Sequence, residues 1–181
     1  MRISARTDYA VRVLVSLAAE ASRPLTCESI AAQQQIPYRF LKSVVRDLRL
    51  AGLVRSQRGC EGGYWLGREA SAISLADVVA AVDGELLTVN GEVPEPSGYP
   101  EPADRLEVLW RGLRARLASV FAGVTIADLL SEEPGSPAAA LFAEAGEFVQ
   151  AGGIAGATAF AEVSAFAGAS VSAEPTADLP A

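Results

Sequence analysis

The chain has 181 residues, enough for one or two small domains with a real core. It carries 15 Lys+Arg against 22 Asp+Glu, a net charge of −7, and no histidine, which removes histidine-based catalytic triads, imidazole acid–base work and histidine metal sites. Two cysteines cannot build a disulfide scaffold and no stretch offers the roughly 20 strongly apolar residues of a membrane helix, so a reducing, cytoplasmic setting away from membranes is expected.

In chain order, Ser4 can cap a first helix running to about Glu20, with Ala10, Val13, Leu14, Leu17 and Ala18 as its buried stripe. Arg23-Pro24 breaks it, and Thr26 caps a short helix through about Gln34. Gln35-Ile36-Pro37 makes a turn, with proline suited to the first helical position of the next segment. There Leu41, Val44, Val45 and Leu48 recur at helical spacing and form a face to be buried, while Arg39, Lys42, Arg46 and Arg49 lie roughly opposite, where they can reach a polyanion. Gly52 suits a left-handed helix end, and Leu53-Val54-Arg55 begins a strand. Gly59, Gly62 and Gly63 permit a tight tip, after which Tyr64-Trp65-Leu66 returns as a second strand. Two helices, a short turn and a glycine-tipped hairpin, in that order, make a winged helix-turn-helix, and this arrangement with a basic outer helix face points to DNA.

Charge distribution supports the same reading. Up to Ala70 there are 11 basic and 6 acidic residues, a net of +5; the remainder holds 4 basic and 16 acidic, a net of −12. A basic N-terminal module is thus fused to an acidic remainder that would keep non-specific binding weak. The scattered Arg2, Arg12, Arg23 and Arg68 are read as solvating a surface.

Beyond the hairpin, Ser74 and Asp77 resemble a capping box opening a short helix through Val82 that stops near Gly84. From Val89 to Pro102 four prolines and two glycines cannot sustain a helix or a central strand. Then Leu106, Leu109, Trp110, Leu113, Leu117, Val120 and Phe121 give a long amphipathic helix; its position after a linker favours pairing with its twin in a homodimer over packing on the first helix. Thr125 and Asp128 can cap a last short helix, Ile126 to Leu130. The alanine- and glycine-rich acidic end leaves too little to bury and is expected to be disordered with transient helix. The expected fold is mainly α with a small β-hairpin wing, divided into a winged helix-turn-helix domain over residues 1–84, a Pro/Gly/acid-rich loop over 85–103, the dimerisation helix and short helix over 104–131, and a tail over 132–181.

These segments resemble the IscR, NsrR and CymR type of bacterial transcription regulators, the Rrf2 family, over about Met1 to Leu130. The likeness rests on MRIS, DYAVRVLVSLA, YRFLKSVVRDLRLAGLVRSQRG leading into GGYWL, ISLADVVAAVDG, and LWRGLRARL followed by TIADLL. It implies a homodimeric regulator, a repressor by expectation, whose recognition helices enter successive major grooves of a palindrome-like operator while each wing reaches a minor groove. Carried over by position, Arg39, Phe40 and Lys42 read bases, Tyr38, Ser43 and Arg46 lie near the backbone, and Arg58 and Gly59 fall on the wing. Phe40 and Tyr38 can equally pack the helix start, and Arg46 can pair within the protein. Leu106, Leu109, Trp110, Leu113 and Leu117 fall on the dimerisation helix.

Many members of the family hold an iron–sulfur cluster through three cysteines before that helix, where this chain has none; Asp104 and Glu107 stand near the corresponding positions, and Asp8 and Arg12 occupy the stretch of the first helix from which some relatives recruit ligands. Clusters need thiolates, so no cofactor is expected, leaving a small-molecule effector or thiol chemistry as the signal. An effector is expected between the DNA-binding domain and the long helix, near Asp104 and Glu107. Cys60, beside Arg58 on the wing, is the candidate redox residue, against the plainer reading that it fills a variable position; Cys27 reads as a small buried residue. An enzyme is not expected, and the remaining alternative is a DNA-binding module acting mainly as a protein-interaction adaptor through its acidic tail.

Overall fold

The structure is a computed structural model that describes residues 3–59, 62–89, 99–131 and 138–143. Helix α1 spans Ala5–Ala19, α2 Cys27–Gln34 and α3 Tyr38–Leu50; strands β1 (Val54–Gln57) and β2 (Gly63–Leu66) form an antiparallel hairpin; α4 (Leu75–Val82) and α5 (Arg105–Gly123) follow. The chain is mainly α with a two-stranded hairpin, a winged helix-turn-helix followed by a long helix. It divides after Ala139, and all of these elements lie in the first unit.

Short-range chemistry starts and stops the helices. Ser4 and Thr26 cap α1 and α2, their hydroxyls accepting from the Thr7 and Ser29 amides. At α4 the capping box closes in both directions: the Asp77 amide donates to Ser74 Oγ, and the Ser74 amide donates back to the Asp77 carboxylate. Between α2 and α3 the turn is made by Gln35 in the left-handed region at φ 54°, and Pro37 sits just outside α3 as its N-terminal cap residue rather than at the first helical position. Gly52, at φ 72°, ends α3 and turns the chain into β1.

The core joins α1, α2, α3 and α4 with the segment that follows α5. Leu14, Ile30, Leu41, Leu48, Ile73, Val78 and Ile126 are all fully buried. The α1 stripe is buried as its spacing requires, with Ala18 only half-buried, and on α3 the buried side chains are Leu41, Val44, Val45 and Leu48. Complete burial of an aliphatic side chain contributes about 1.5–3 kcal/mol, so these rows fix α1 and α3 against one another.

Besides Pro37, three sequence expectations change. The Ile126–Leu130 segment is a succession of turns, not a helix, although Asp128 does accept from the Thr125 amide and hydroxyl at 2.8 and 2.7 Å. The Ile126 and Ala127 amides donate to the carbonyls of Ile73 and Ala70, so the segment is drawn along the chain entering α4 and closes after one turn. The apolar stripe of α5 divides: Trp110, Leu117 and Phe121 are half-buried on the side where Arg114 reaches Glu85 at 3.0 Å, whereas Leu106, Leu109, Leu113 and Val120 are exposed along with Val108. No α5 residue is buried outright. Finally, β1 begins at Val54, one residue later than expected. Most of the proline-rich segment and of the acidic tail, together with Cys60, lies outside the described residues.

Candidate nucleic-acid interface

Helix α3 presents the charge. With its apolar row turned into the core, Arg39, Lys42, Arg46 and Arg49 are all exposed, as are Tyr38 and Phe40 in the first turn, Phe40 at 55%. The Phe40 ring, left in water beside cations, does not pack the helix start and can meet an apolar feature such as a thymine methyl, whereas Tyr38 is engaged within the protein. The hairpin then brings Arg58 and Gly59 to the same side. Residues from the starts of α2 and α3 and from both sides of the hairpin tip, Glu28, Tyr38, Lys42, Arg58 and Gly59 among them, line one cleft of about 430 Å³.

Within the cleft the side chains are pre-arranged. The Tyr38 hydroxyl donates to Glu28 at 2.6 Å, and the Lys42 ammonium stands 5.0 Å from the centre of the Tyr38 ring. That hydroxyl bond holds the Glu28 carboxyl below the usual carboxylate range and pushes the Tyr38 phenol up, while the contact with Tyr38 raises Lys42. Lys42 is therefore a cation whose ammonium rests over the Tyr38 ring. Cys27, at the cleft's base, is buried, and desolvation pushes its thiol above the ordinary value against a smaller opposing effect of a hydrogen bond with Tyr64; it is a thiol, not a thiolate.

The tip is shaped by backbone crowding. A Cβ on Gly63 would meet the Leu25 carbonyl oxygen at 2.7 Å, because β2 runs against residue 25, with amide bonds in both directions between Leu25 and Tyr64. Gly59, at φ 121°, turns a corner that other residues resist.

Two arginines that sequence pattern read as solvent-facing or passed over hold the interface in place. Arg6 of α1 donates to Ser43 Oγ at 3.3 Å, pairs with Asp47 on α3 and reaches the Val82 carbonyl at the end of α4 at 3.4 Å. Arg12 donates to the Gln34 carbonyl and, at 3.2 Å, to its side chain, tying α1 to the end of α2. Ser43, expected near the DNA backbone, thus has its hydroxyl engaged within the protein, donating to the Phe40 carbonyl and accepting from Arg6.

The profile of a family described as an iron-dependent transcriptional regulator, Rrf2, matches residues 3–132. The chain belongs to the Rrf2 family. A protein of Mycobacterium tuberculosis (strain H37Rv) that carries the name of an HTH-type transcriptional regulator is 43% identical over 134 residues, 71% of this chain and 81% of that protein. The HTH-type transcriptional regulator CymR of Bacillus subtilis (strain 168) is 35% identical over 78% of this chain and 99% of its own length. Its solved structure, titled as that of the global cysteine regulator of B. subtilis, superposes with a TM-score of 0.61 at 33% identity, covering 71% of this chain and 95% of CymR. The solved structure of the T. potens IscR gives 0.59 at 27% identity over 72% and 86%. The protein is accordingly a DNA-binding transcriptional regulator of the CymR and IscR kind, a family that is not enzymatic.

The donor set of this Rrf2 chain does not fit an iron–sulfur cluster. Around the start of α5 it offers only oxygen donors, and Glu107 is already paired with Arg111 at 3.2 Å. On α1, Asp8 pairs with Arg12 at 3.3 Å. Cys27 is buried at the foot of the hairpin, and among the described residues no group of three or more His, Cys, Asp or Glu side chains could hold a metal ion. No described helix is long and apolar enough to cross a membrane.

Proposed function

We propose that the protein is a homodimeric repressor that grips a palindrome-like operator with Arg39, Phe40 and Lys42 in the major groove, Tyr38, Ser43 and Arg46 near the backbone, and Arg58 and Gly59 at the wing. The observation that carries this is the shared cleft: recognition helix and wing turn exposed cations to one side of the domain. The two-fold symmetry of such an operator requires a symmetric protein, and the exposed outer face of α5, Leu106, Val108, Leu109 and Leu113, gives a second copy an apolar surface to cover. Trp110 and Leu117, half-buried, shape that helix from its other side. The signal is a small molecule or a thiol rather than a cluster, since the donors around the start of α5 are hard oxygens and Cys27 is buried elsewhere.

The test begins with selection of bound sequences from random duplex DNA by the purified full-length protein, followed by fluorescence anisotropy on the selected site and on a scrambled duplex. A site with dyad symmetry, bound at least 1000-fold more tightly than the scrambled duplex, is the expected result. Equal binding to both would refute the operator reading. Anaerobically purified protein is expected to be colourless with no stoichiometric iron or sulfide; visible charge-transfer bands would overturn the claim of a cluster-free regulator.

A further inference from the structure

A second cleft, of about 390 Å³, lies between the C-terminal end of α1 and the base of the hairpin. The register pairs Arg55 with Trp65 and Ser56 with Tyr64, and strand side chains alternate between faces. Ser56 and Tyr64 belong to the cleft shared with the recognition helix, so Arg55 and Trp65 stand on the hairpin's other face, turned away from it. DNA held by α3 and the wing tip leaves these two side chains unused.

Their chemistry is specific. The Arg55 guanidinium lies 5.7 Å from the centre of the Trp65 ring and, among the described residues, has no hydrogen-bond or ion-pair partner. Trp65 is fixed in orientation, its indole N–H donating to Gln57 at 2.9 Å. Arg68, also lining the cleft, has only a loose pairing with Asp77 at 3.9 Å. Against these two cations the lining holds one carboxylate, Glu69, and the facing wall is apolar, made of Leu17 and Ala18 at the end of α1 and Ala21 just beyond it. A stacked guanidinium offers its planar fork of N–H donors to a carboxylate, and the indole beside it offers a face or edge to a ring.

We propose that this cleft binds a small aromatic carboxylate, the carboxylate on Arg55 with Arg68 in reach and the ring between Trp65 and the α1 wall. A bare anion such as phosphate would leave the apolar wall wet, and an uncharged ring would leave Arg55 unmatched, so both halves of the ligand are required. The site is independent of the operator reading, because none of its residues is among those assigned to DNA.

Protein NMR on the 15N-labelled full-length chain tests this with benzoate as the probe. The chain's two tryptophans, Trp65 and Trp110, give two indole N–H signals, assigned through Trp65→Phe, and Trp110 serves as the internal reference. Benzoate is expected to shift the Trp65 signal saturably while Trp110 stays still; benzamide, matched in shape but uncharged, should bind at least 5-fold more weakly. Arg55→Gln, checked as folded by the rest of its spectrum, should lose the response, and Arg68→Gln should weaken it. No saturable shift with benzoate, an equal response to benzamide, or an unchanged response in Arg55→Gln would overturn the site. An equal response to inorganic phosphate would overturn the assignment to an aromatic acid.

Discussion

Arg6 is the residue whose removal most directly tests how the recognition helix is held. Its guanidinium joins α1 to Ser43 and Asp47 on α3 and to the Val82 carbonyl ending α4. The Arg6 and Asp47 side chains are 36% and 28% exposed, so the ion pair lies between a surface pair, worth about 0.2–1 kcal/mol, and a buried one. The bonds to Ser43 and Val82, at 3.3 and 3.4 Å, are long and add only a little each. Asp47 keeps enough solvent contact to escape a full desolvation penalty when its partner goes. Together these put Arg6→Met at about 1–2 kcal/mol of stability, or roughly 3–10 °C in Tm for a domain of this size. Thermal unfolding of Arg6→Met, Asp47→Asn and the double variant, read as a cycle, should return a coupling of about 0.5–1 kcal/mol. Operator affinity should fall as well, although Arg6 itself is not assigned to DNA, because α3 loses its anchor to α1. A coupling of zero with unchanged Tm would refute the idea that this arginine fixes the recognition helix.

Replacing Arg39 or Lys42 with alanine should weaken binding to the selected operator by about 1–3 kcal/mol and relax preference at the base each reads, and Arg58→Ala should weaken it through the wing; unchanged anisotropy in all three removes the interface assignment. Leu113→Glu puts a charge on the exposed α5 face, so light scattering should report monomers with weak operator binding, whereas a stable dimer would mean that face is not the interface. Burial raises the Cys27 thiol, so the neutral form is favoured in the folded protein, and any stability from this is present at neutral pH and lost as pH rises through the folded value. In a Cys60→Ser background, alkylation by iodoacetamide at pH 8 should be much slower in the folded than in the urea-unfolded chain; equal rates would show Cys27 to be exposed.

Much of the fold could be read from sequence because its determinants are short-range. Ser4, Thr26 and Ser74 cap their helices through bonds that span three residues, and Leu41, Val44, Val45 and Leu48 mark a buried face through spacing alone. The basic row of α3 was legible for the same reason, since whatever lies opposite a buried stripe must face solvent. The hairpin followed from glycines at positions where a side chain meets backbone, as Gly63 does against Leu25.

What pattern could not supply was the identity of partners far apart in sequence. Arg6 and Asp47 are separated by 41 residues and Arg6 and Val82 by 76, so no local rule distinguishes this anchoring arginine from one that solvates a surface. Glu28 on α2 is linked to Lys42 on α3 through Tyr38, whose hydroxyl donates to it and whose ring lies under the ammonium, a relation that exists once two helices have packed. The α5 stripe illustrates the limit most clearly. Its periodicity correctly announced an amphipathic helix, but periodicity measures how many apolar residues share a face, not how many neighbours are present to cover them. Packed against α4, the helix has Trp110, Leu117 and Phe121 half-buried and leaves Leu106, Leu109 and Leu113 in water. An exposed row of leucines beside a sheltered face is what a helix needs if one side is to pack on its own chain while the other meets a second copy, and this is why Leu113, rather than Trp110, is the position at which a charge is expected to separate the proposed dimer into monomers.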